Sequence, residues 1–255
     1  MQGTKATWAL VLGSGGPRGF VHVGVIKALE ELNIRPPVIV GSSVGALVGA
    51  LWAAGIGAKK LDEMAMNLSP ISVARISIGS DERFSGGALA AFVNHAIDYR
   101  RLEQFDTVMI PVAARREDRR LVGFHRGDVG VAVQASAAIE GTFTPVKIRG
   151  VEYIDADLVA PVPVRFARQH CARRVISVDA SAHEDKAPPG AARFREGDRR
   201  KRNLTTPDTS VADLNLHPLI DYYVSLTEAF RRRTIDAGYR ETIAQAARIR
   251  AALAG

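Results

Sequence analysis

The sequence predicts an α/β domain built around a mainly parallel sheet with helices on both faces. Three observations carry this. Two short apolar runs, Trp8 to Leu12 and Val38 to Val40, each break into a glycine-containing turn and lead into an apolar-faced helix. That strand–turn–helix unit occurs twice within roughly the first 55 residues, the signature of parallel strands joined by helices. Length and composition agree: 255 residues suit one large α/β domain or two small ones, and 47% hydrophobic side chains provide enough apolar material for one core.

Taken in order, Trp8 to Leu12 reads as a buried strand, followed by a glycine-rich turn from Gly13 to Gly19. Val21, Val25, Leu29 and Leu32 then fall on one helical face. Val38 to Val40 is a second buried strand, and a helix begins near Gly45 with Leu47, Val48 and Leu51. Ala58 to Ser80 reads as helix plus loop, and Ala88 to Tyr99 as a helix. Thr107 to Ala114 and Arg120 to Phe124 are strands, and Val129 to Ile139 is an Ala- and Val-rich helix. Val146 to Ile148 and Val151 to Ile154 flank Arg149-Gly150 as a hairpin. Val175 to Val178 is a further buried strand. His183 to Ser210 is poor in apolar residues and holds Pro188-Pro189-Gly190 and a basic run, so a flexible surface loop is expected. Two helices close the chain, Leu219 to Gly238 and Tyr239 onward.

The single cysteine, Cys171, excludes an internal disulfide and a cysteine-based zinc site. A reducing, cytoplasmic setting is the expectation. No run approaches the roughly 18 apolar residues of a membrane span, so contact with a membrane would be peripheral. The net charge is +7, with arginines clustered at 115–116, 119–120, 173–174, 199–202 (with Lys201) and 231–233. Such a basic surface attracts phosphate, including lipid headgroups, or is simply a solvated face. No helix-turn-helix or zinc pattern and no aromatic interleaving supports specific nucleic-acid binding.

Gly41-Ser42-Ser43-Val44-Gly45 fits G-x-S-x-G between a buried strand and an apolar-faced helix. Such a sharp turn lifts the Ser43 hydroxyl clear of the sheet, and Gly41 and Gly45 leave room for it. The helix behind points its positive end at developing negative charge. The loop Gly13-Ser14-Gly15-Gly16-Pro17-Arg18-Gly19 bears the same relation to the first strand. A dinucleotide reading fails: Arg18 stands where the last glycine of G-x-G-x-x-G belongs, and no acidic residue ends the second strand. The loop could instead supply oxyanion donors through Gly15 and Gly16, with Pro17 suited to a first helical turn. Downstream, the hairpin delivers Asp155 and Asp157 at a strand end, where an aspartate alone is more often a turn residue.

Together these segments resemble the patatin-like phospholipase family over roughly Trp8 to Ala182. Gly15-Gly16-Pro17-Arg18-Gly19 resembles its G-G-x-R-G segment and Gly41 to Gly45 its nucleophile elbow. Ile154 to Val164, with Pro161-Val162-Pro163, resembles the stretch that carries its catalytic aspartate. The stretch from Ser136 to Pro145 resembles the segment preceding it.

The resemblance implies a three-layer α/β/α fold and a serine lipid acyl hydrolase of phospholipase A or lysophospholipase type. It implies Ser43 as nucleophile, Asp155 as base, Gly15 and Gly16 as oxyanion donors, and Arg18 with Gly19 as support for the oxyanion loop. It implies a lipid or other acyl ester as substrate, with no metal or cofactor. The implied organisation is a patatin-like core over 1–182, a flexible basic loop over 183–210, and C-terminal helices over 211–255 packed on the same domain.

Two departures bear on catalysis. Ala156-Asp157 replaces Gly-Gly or Gly-Ala, adding a carboxylate beside Asp155 that would raise one pKa if both were buried. Glu140 stands where proline is usual. Two alternatives follow: a catalytically weak lipid-binding or regulatory protein on the same fold, and a Ser-Asp-His esterase drawing its histidine from His183 or His217. Headgroup and chain preference, and oligomeric state, are open at this level.

Overall fold

The protein is described by a computed structural model over residues 6–68, 75–76 and 84–254. Strand β1 (Ala6–Leu12) leads through the glycine loop and a 3-10 turn at Gly16–Phe20 into α1 (Val21–Glu31). β2 (Val38–Ser42) leads into α2 (Val44–Ala53), followed by α3 (Ala58–Asn67). A small antiparallel pair, β3 (Arg75–Ile76) and β4 (Phe84–Ser85), precedes α4 (Gly87–Ala96). Most of the loop expected before Ser80 lies outside the described residues. Then come β5 (Val108–Arg115), β6 (Leu121–Gly123), α5 (Val129–Ser136), β7 (Val146–Ile148) and β8 (Val151–Asp155). The chain ends with α6 (Val164–His170), β9 (Ala172–Val178), α7 (Arg195–Thr209), β10 (Leu214–Leu216), α8 (Glu228–Ala244) and α9 (Ala246–Ala254).

β10, β9, β1, β2 and β5 are hydrogen-bonded in that order, all parallel, and the β7–β8 and β5–β6 pairings are antiparallel. Alternate side chains of the buried strands feed two cores, as a period of two requires. Leu10, Leu12, Ile39, Met109 and Ile176 pack with α1, α2, α4, α5 and α8 on one face. Ala9, Val11, Val38, Val40, Val112 and Val175 pack with α6 on the other. The architecture is therefore three-layered α/β/α, as the sequence implied.

The register around β5 positions the site. Val112 is flanked by Ser42 and Gly123, and Ala113 by Asp155 and Val122. Since β6 occupies one edge of β5, β2 and β8 share the other edge end to end. The strand ends bearing Ser42 and Asp155 thus meet against consecutive residues of β5.

Three expectations are corrected. Residues 183–210 do not form an unstructured loop: they carry two 3-10 turns and the 15-residue helix α7. Low apolar content is a poor guide here because α7 is held by polar contacts. Asp208 accepts from the Arg165 amide at 2.8 Å, and Arg202 reaches Asp179 at 3.4 Å and the Ala182 carbonyl at 3.1 Å. Second, the closing helix begins at Glu228 rather than Leu219, with Thr227 as its cap. Third, it does not end at Gly238. A Cβ on Gly238 would stand 2.2 Å from the Val21 carbonyl oxygen, and one on Gly24 1.8 Å from that of Ile235. Gly238 is required for the crossing of α1 and α8, not as a helix terminator. Helix α6 and strand β10 add to the elements expected from the sequence.

Candidate active site

Ser43 sits at the N-terminus of α2 with φ 54° and ψ −121°, a region costly for a non-glycine residue. Its neighbours permit the turn. A Cβ on Gly41 would meet the Ala46 backbone at 2.6 Å, and one on Gly45 would meet the Leu12 carbonyl oxygen at 2.2 Å. The Ser43 amide donates to Ser136 Oγ at 2.9 Å, and Ser136 Oγ donates to the Val112 carbonyl at 2.6 Å. Helix α5 therefore braces both the elbow and β5.

The Ser43 hydroxyl donates to Asp155 Oδ2 at 2.6 Å. Asp155 is buried, its amide donates to the Ala138 carbonyl at 2.9 Å, and its Oδ1 accepts from the Asp157 amide at 2.8 Å. Burial pushes the Asp155 carboxyl up to about 7, and the Asp157 charge adds to this; the bonds from Ser43 and the Asp157 amide, and the Lys201 charge, oppose it. Ala156 is fully buried, so a methyl group is accommodated where glycine was usual.

Gly15, Gly16, Ser43, Asp155 and Asp157 line one cleft of about 130 Å³. Gly16 has φ +54° with open space where a Cβ would stand. Among the described residues, neither the Gly15 nor the Gly16 amide has an intramolecular acceptor. Arg18 points elsewhere: its guanidinium donates to the Tyr222 carbonyl, tying the glycine loop to the segment before α8. Gly19 lies against Val44, where a Cβ would stand 2.2 Å from Val44 Cγ1. His22, beneath the loop, bonds Gly13 O through Nε2 at 2.8 Å; burial lowers its pKa to about 4, so the neutral ring donates.

His183 and His217 stack on each other with centroids 3.8 Å apart, and their bonds go to Ser181 and to the 217–218 backbone. Among the described residues no histidine bonds Ser43 or Asp155. Three contributors are assigned no role from the sequence alone: Ser136 and Ser14, which lie inside segments already singled out there, and Lys201 of the basic run. Ser136 is a buried hydroxyl on an otherwise Ala- and Val-rich helix, a legible signal; Ser14 and Lys201 acquire their positions only through the fold. Lys201 Nζ donates to Asp157 Oδ1 at 2.6 Å and to Ser14 Oγ at 3.1 Å, and Ser14 Oγ also donates to Asp157.

Gly16 also lines a second, apolar cavity of about 150 Å³, walled by Phe20, Val44, Val48, Leu51 and Phe92 among others. It runs behind the glycine loop and the first turn of α2.

A layered sheet with a positive-φ serine where a central strand meets a helix places the chain among α/β proteins with a sharp strand-to-helix turn. The chain belongs to the patatin-like phospholipase family, whose description matches residues 10–168. It is 34% identical over 162 residues to an uncharacterized NTE family protein of Mycobacterium tuberculosis, covering 61% of this chain and 44% of that one. It is 32% identical over 196 residues to lysophospholipase NTE1 of Coccidioides immitis, covering 71% of this chain and 12% of that one. The chain thus spans less than half the length of either relative. Among solved structures, VipD from Legionella pneumophila aligns with a TM-score of 0.53 at 13% identity, covering 95% of this chain and 67% of that one. At that identity the likeness speaks for the fold alone.

Proposed function

We propose that this chain is a serine lipid acyl hydrolase in which Ser43 is the nucleophile and Asp155 its base. The direct bond from the Ser43 hydroxyl to the buried Asp155 carboxylate, at 2.6 Å, carries the reading. Asp155 accepts the proton as Ser43 Oγ attacks the ester carbonyl. The free amides of Gly15 and Gly16 hold the oxyanion, each donor worth about 3 kcal/mol in the transition state. The alcohol leaves with the proton; a water deprotonated by Asp155 then attacks the acyl carbonyl, and Asp155 returns that proton to Ser43 Oγ as the carboxylic acid departs.

Gly16 borders both the polar cleft and the apolar cavity. An acyl chain lying in the cavity would bring its carbonyl carbon to the Ser43 hydroxyl. Membership of the family, and the lysophospholipase named among the relatives, favour a lipid acyl ester. Access would be from a lipid surface: Ile139 and Leu158, 46% and 47% exposed, rim the cleft, and Arg195, Arg199 and Arg200 are exposed on α7. The alternative of lipid binding without turnover drew on Asp157. Its pairing with Lys201 and Ser14 leaves no specific observation in favour of that alternative.

The test is hydrolysis of p-nitrophenyl esters of increasing chain length and of a lysophospholipid by the wild type, Ser43→Ala and Asp155→Asn. Turnover lost in both variants, with longer chains preferred by the wild type, is the expected result. Turnover surviving in Asp155→Asn would contradict the role given to Asp155.

A further inference from the structure

We propose that Lys201 is a positioning residue for the Ser43–Asp155 pair, acting through Asp157. From helix α7 its ammonium holds the Asp157 carboxylate toward Ser14 and offsets its charge, while the Asp157 amide stays on Asp155 Oδ1. The inference rests on the catalytic reading above.

Three chain segments meet at this point. Ser14 comes from the glycine loop, Asp157 from the turn after β8, and Lys201 from α7. Asp157 Oδ1 accepts from Lys201 Nζ at 2.6 Å and from the Ser14 hydroxyl, while Lys201 Nζ also donates to Ser14 Oγ at 3.1 Å. Ser14 directly precedes Gly15, so the cluster ties the loop with the free amides to the turn with the aspartate. Lys201 is itself fixed: Arg202, the next residue, reaches Asp179, Ser181 and Ala182, and Asp208 holds the Arg165 amide. An Asp at position 157 without a cation would set a second negative charge two residues from the base. Lys201 removes that conflict.

Among the described residues, few charges face Asp155. Ser43 and the Asp157 amide bond it; Asp157 raises its pKa and Lys201 lowers it. Glu140, from the turn after α5, lines the same cleft but is engaged by Arg119 at 2.9 Å and Arg116 at 3.8 Å. Lys201 and Asp157 side chains are 26% and 37% exposed, so screening trims their influence to about one pH unit rather than several.

The test uses the full chain as wild type, Lys201→Met, Lys201→Arg, Asp157→Asn and the Lys201→Met/Asp157→Asn double variant, with Asp155→Asn for assignment. Two readouts are taken: the pH dependence of kcat/KM on a p-nitrophenyl ester, and the Asp155 carboxyl titration by 13C NMR, assigned through Asp155→Asn. Lys201→Met is expected to move the acid limb up by about one unit. At pH 6.5 kcat/KM then falls about tenfold and recovers at pH 9, with KM little changed. Asp157→Asn should move the limb down, the double variant should return near the wild type, and Lys201→Arg should rescue. Unshifted profiles in the single variants, or a double variant no better than Lys201→Met, would overturn the proposal. The NMR titration reads the coupling even if no ester is turned over, which separates failure of this proposal from failure of the catalytic reading.

Discussion

The Ser43 amide donates to the Ser136 hydroxyl at 2.9 Å, and that hydroxyl in turn donates to the Val112 carbonyl. One side chain of α5 thereby holds a strained residue on α2 and the central strand β5. Backbone strain at Ser43 costs on the order of 1–3 kcal/mol, and such a bond is how the fold retains it. Ser136→Ala removes both contacts. Stability should fall by about 1–3 kcal/mol, and kcat/KM by roughly tenfold or more as the hydroxyl of Ser43 loses its alignment. Thermal unfolding and ester kinetics on the same preparation check both.

In the proposed mechanism Ser43 is activated only when Asp155 is ionised. With its carboxyl raised to about 7 by burial, kcat/KM should be flat above pH 8. Below pH 7 it should fall tenfold per unit. An acid limb near pH 4 would mean that Asp155 is solvated, or is not the base.

The same burial has a stability cost. The folded carboxyl titrates near 7 against an ordinary 3.8, so between those values the folded state binds the extra proton. Its contribution is fully favourable below pH 3.8 and is lost as pH rises through 7. Asp155→Asn removes the ionisable group. The variant should be more stable than the wild type at pH 8, by roughly 1–3 kcal/mol after relaxation, with the gain shrinking as pH falls below about 7. Urea titrations at pH 5.5 and pH 8 measure the difference; an Asn variant less stable at both would contradict the buried-charge assignment.

Helices α1 and α8 approach through Gly24 and Gly238, each closed to a methyl by the opposite backbone. Gly24→Ala or Gly238→Ala should each cost about 2–4 kcal/mol by forcing the helices apart. Gly197→Ala on α7 is the matched control, since a Cβ there meets nothing within 4 Å. It should leave the melting temperature unchanged or raise it slightly. Thermal melts of the three variants beside the wild type check the contrast.

Much of this fold is legible because its signals are local. The runs from Trp8 and Val38 are short and apolar, and glycines at 13, 15, 16, 41 and 45 mark where backbone replaces side chain. Ser43 and Asp155 stand out as candidates because their motifs are contiguous. Their meeting, through β2 and β8 on one edge of β5, is a property of register and not of any local pattern. Lys201 is hidden for a related reason: helix α7 owes its place to Arg202 and Asp208 finding partners in other segments. Gly238 is ambiguous in the sequence because a glycine that ends a helix and one that admits a neighbour look alike until the neighbour is known.

The most direct test of the Ser43 assignment is covalent capture. A long-chain alkyl fluorophosphonate is incubated with the wild type, Ser43→Ala and Asp155→Asn, and intact mass and peptide mapping follow the adduct. Stoichiometric labelling of the wild type on Ser43, none on Ser43→Ala, and labelling of Asp155→Asn slowed by at least about a hundredfold is expected for a nucleophile activated by an adjacent base. Labelling at another residue, or equal rates in wild type and Asp155→Asn, would contradict the Ser43–Asp155 mechanism.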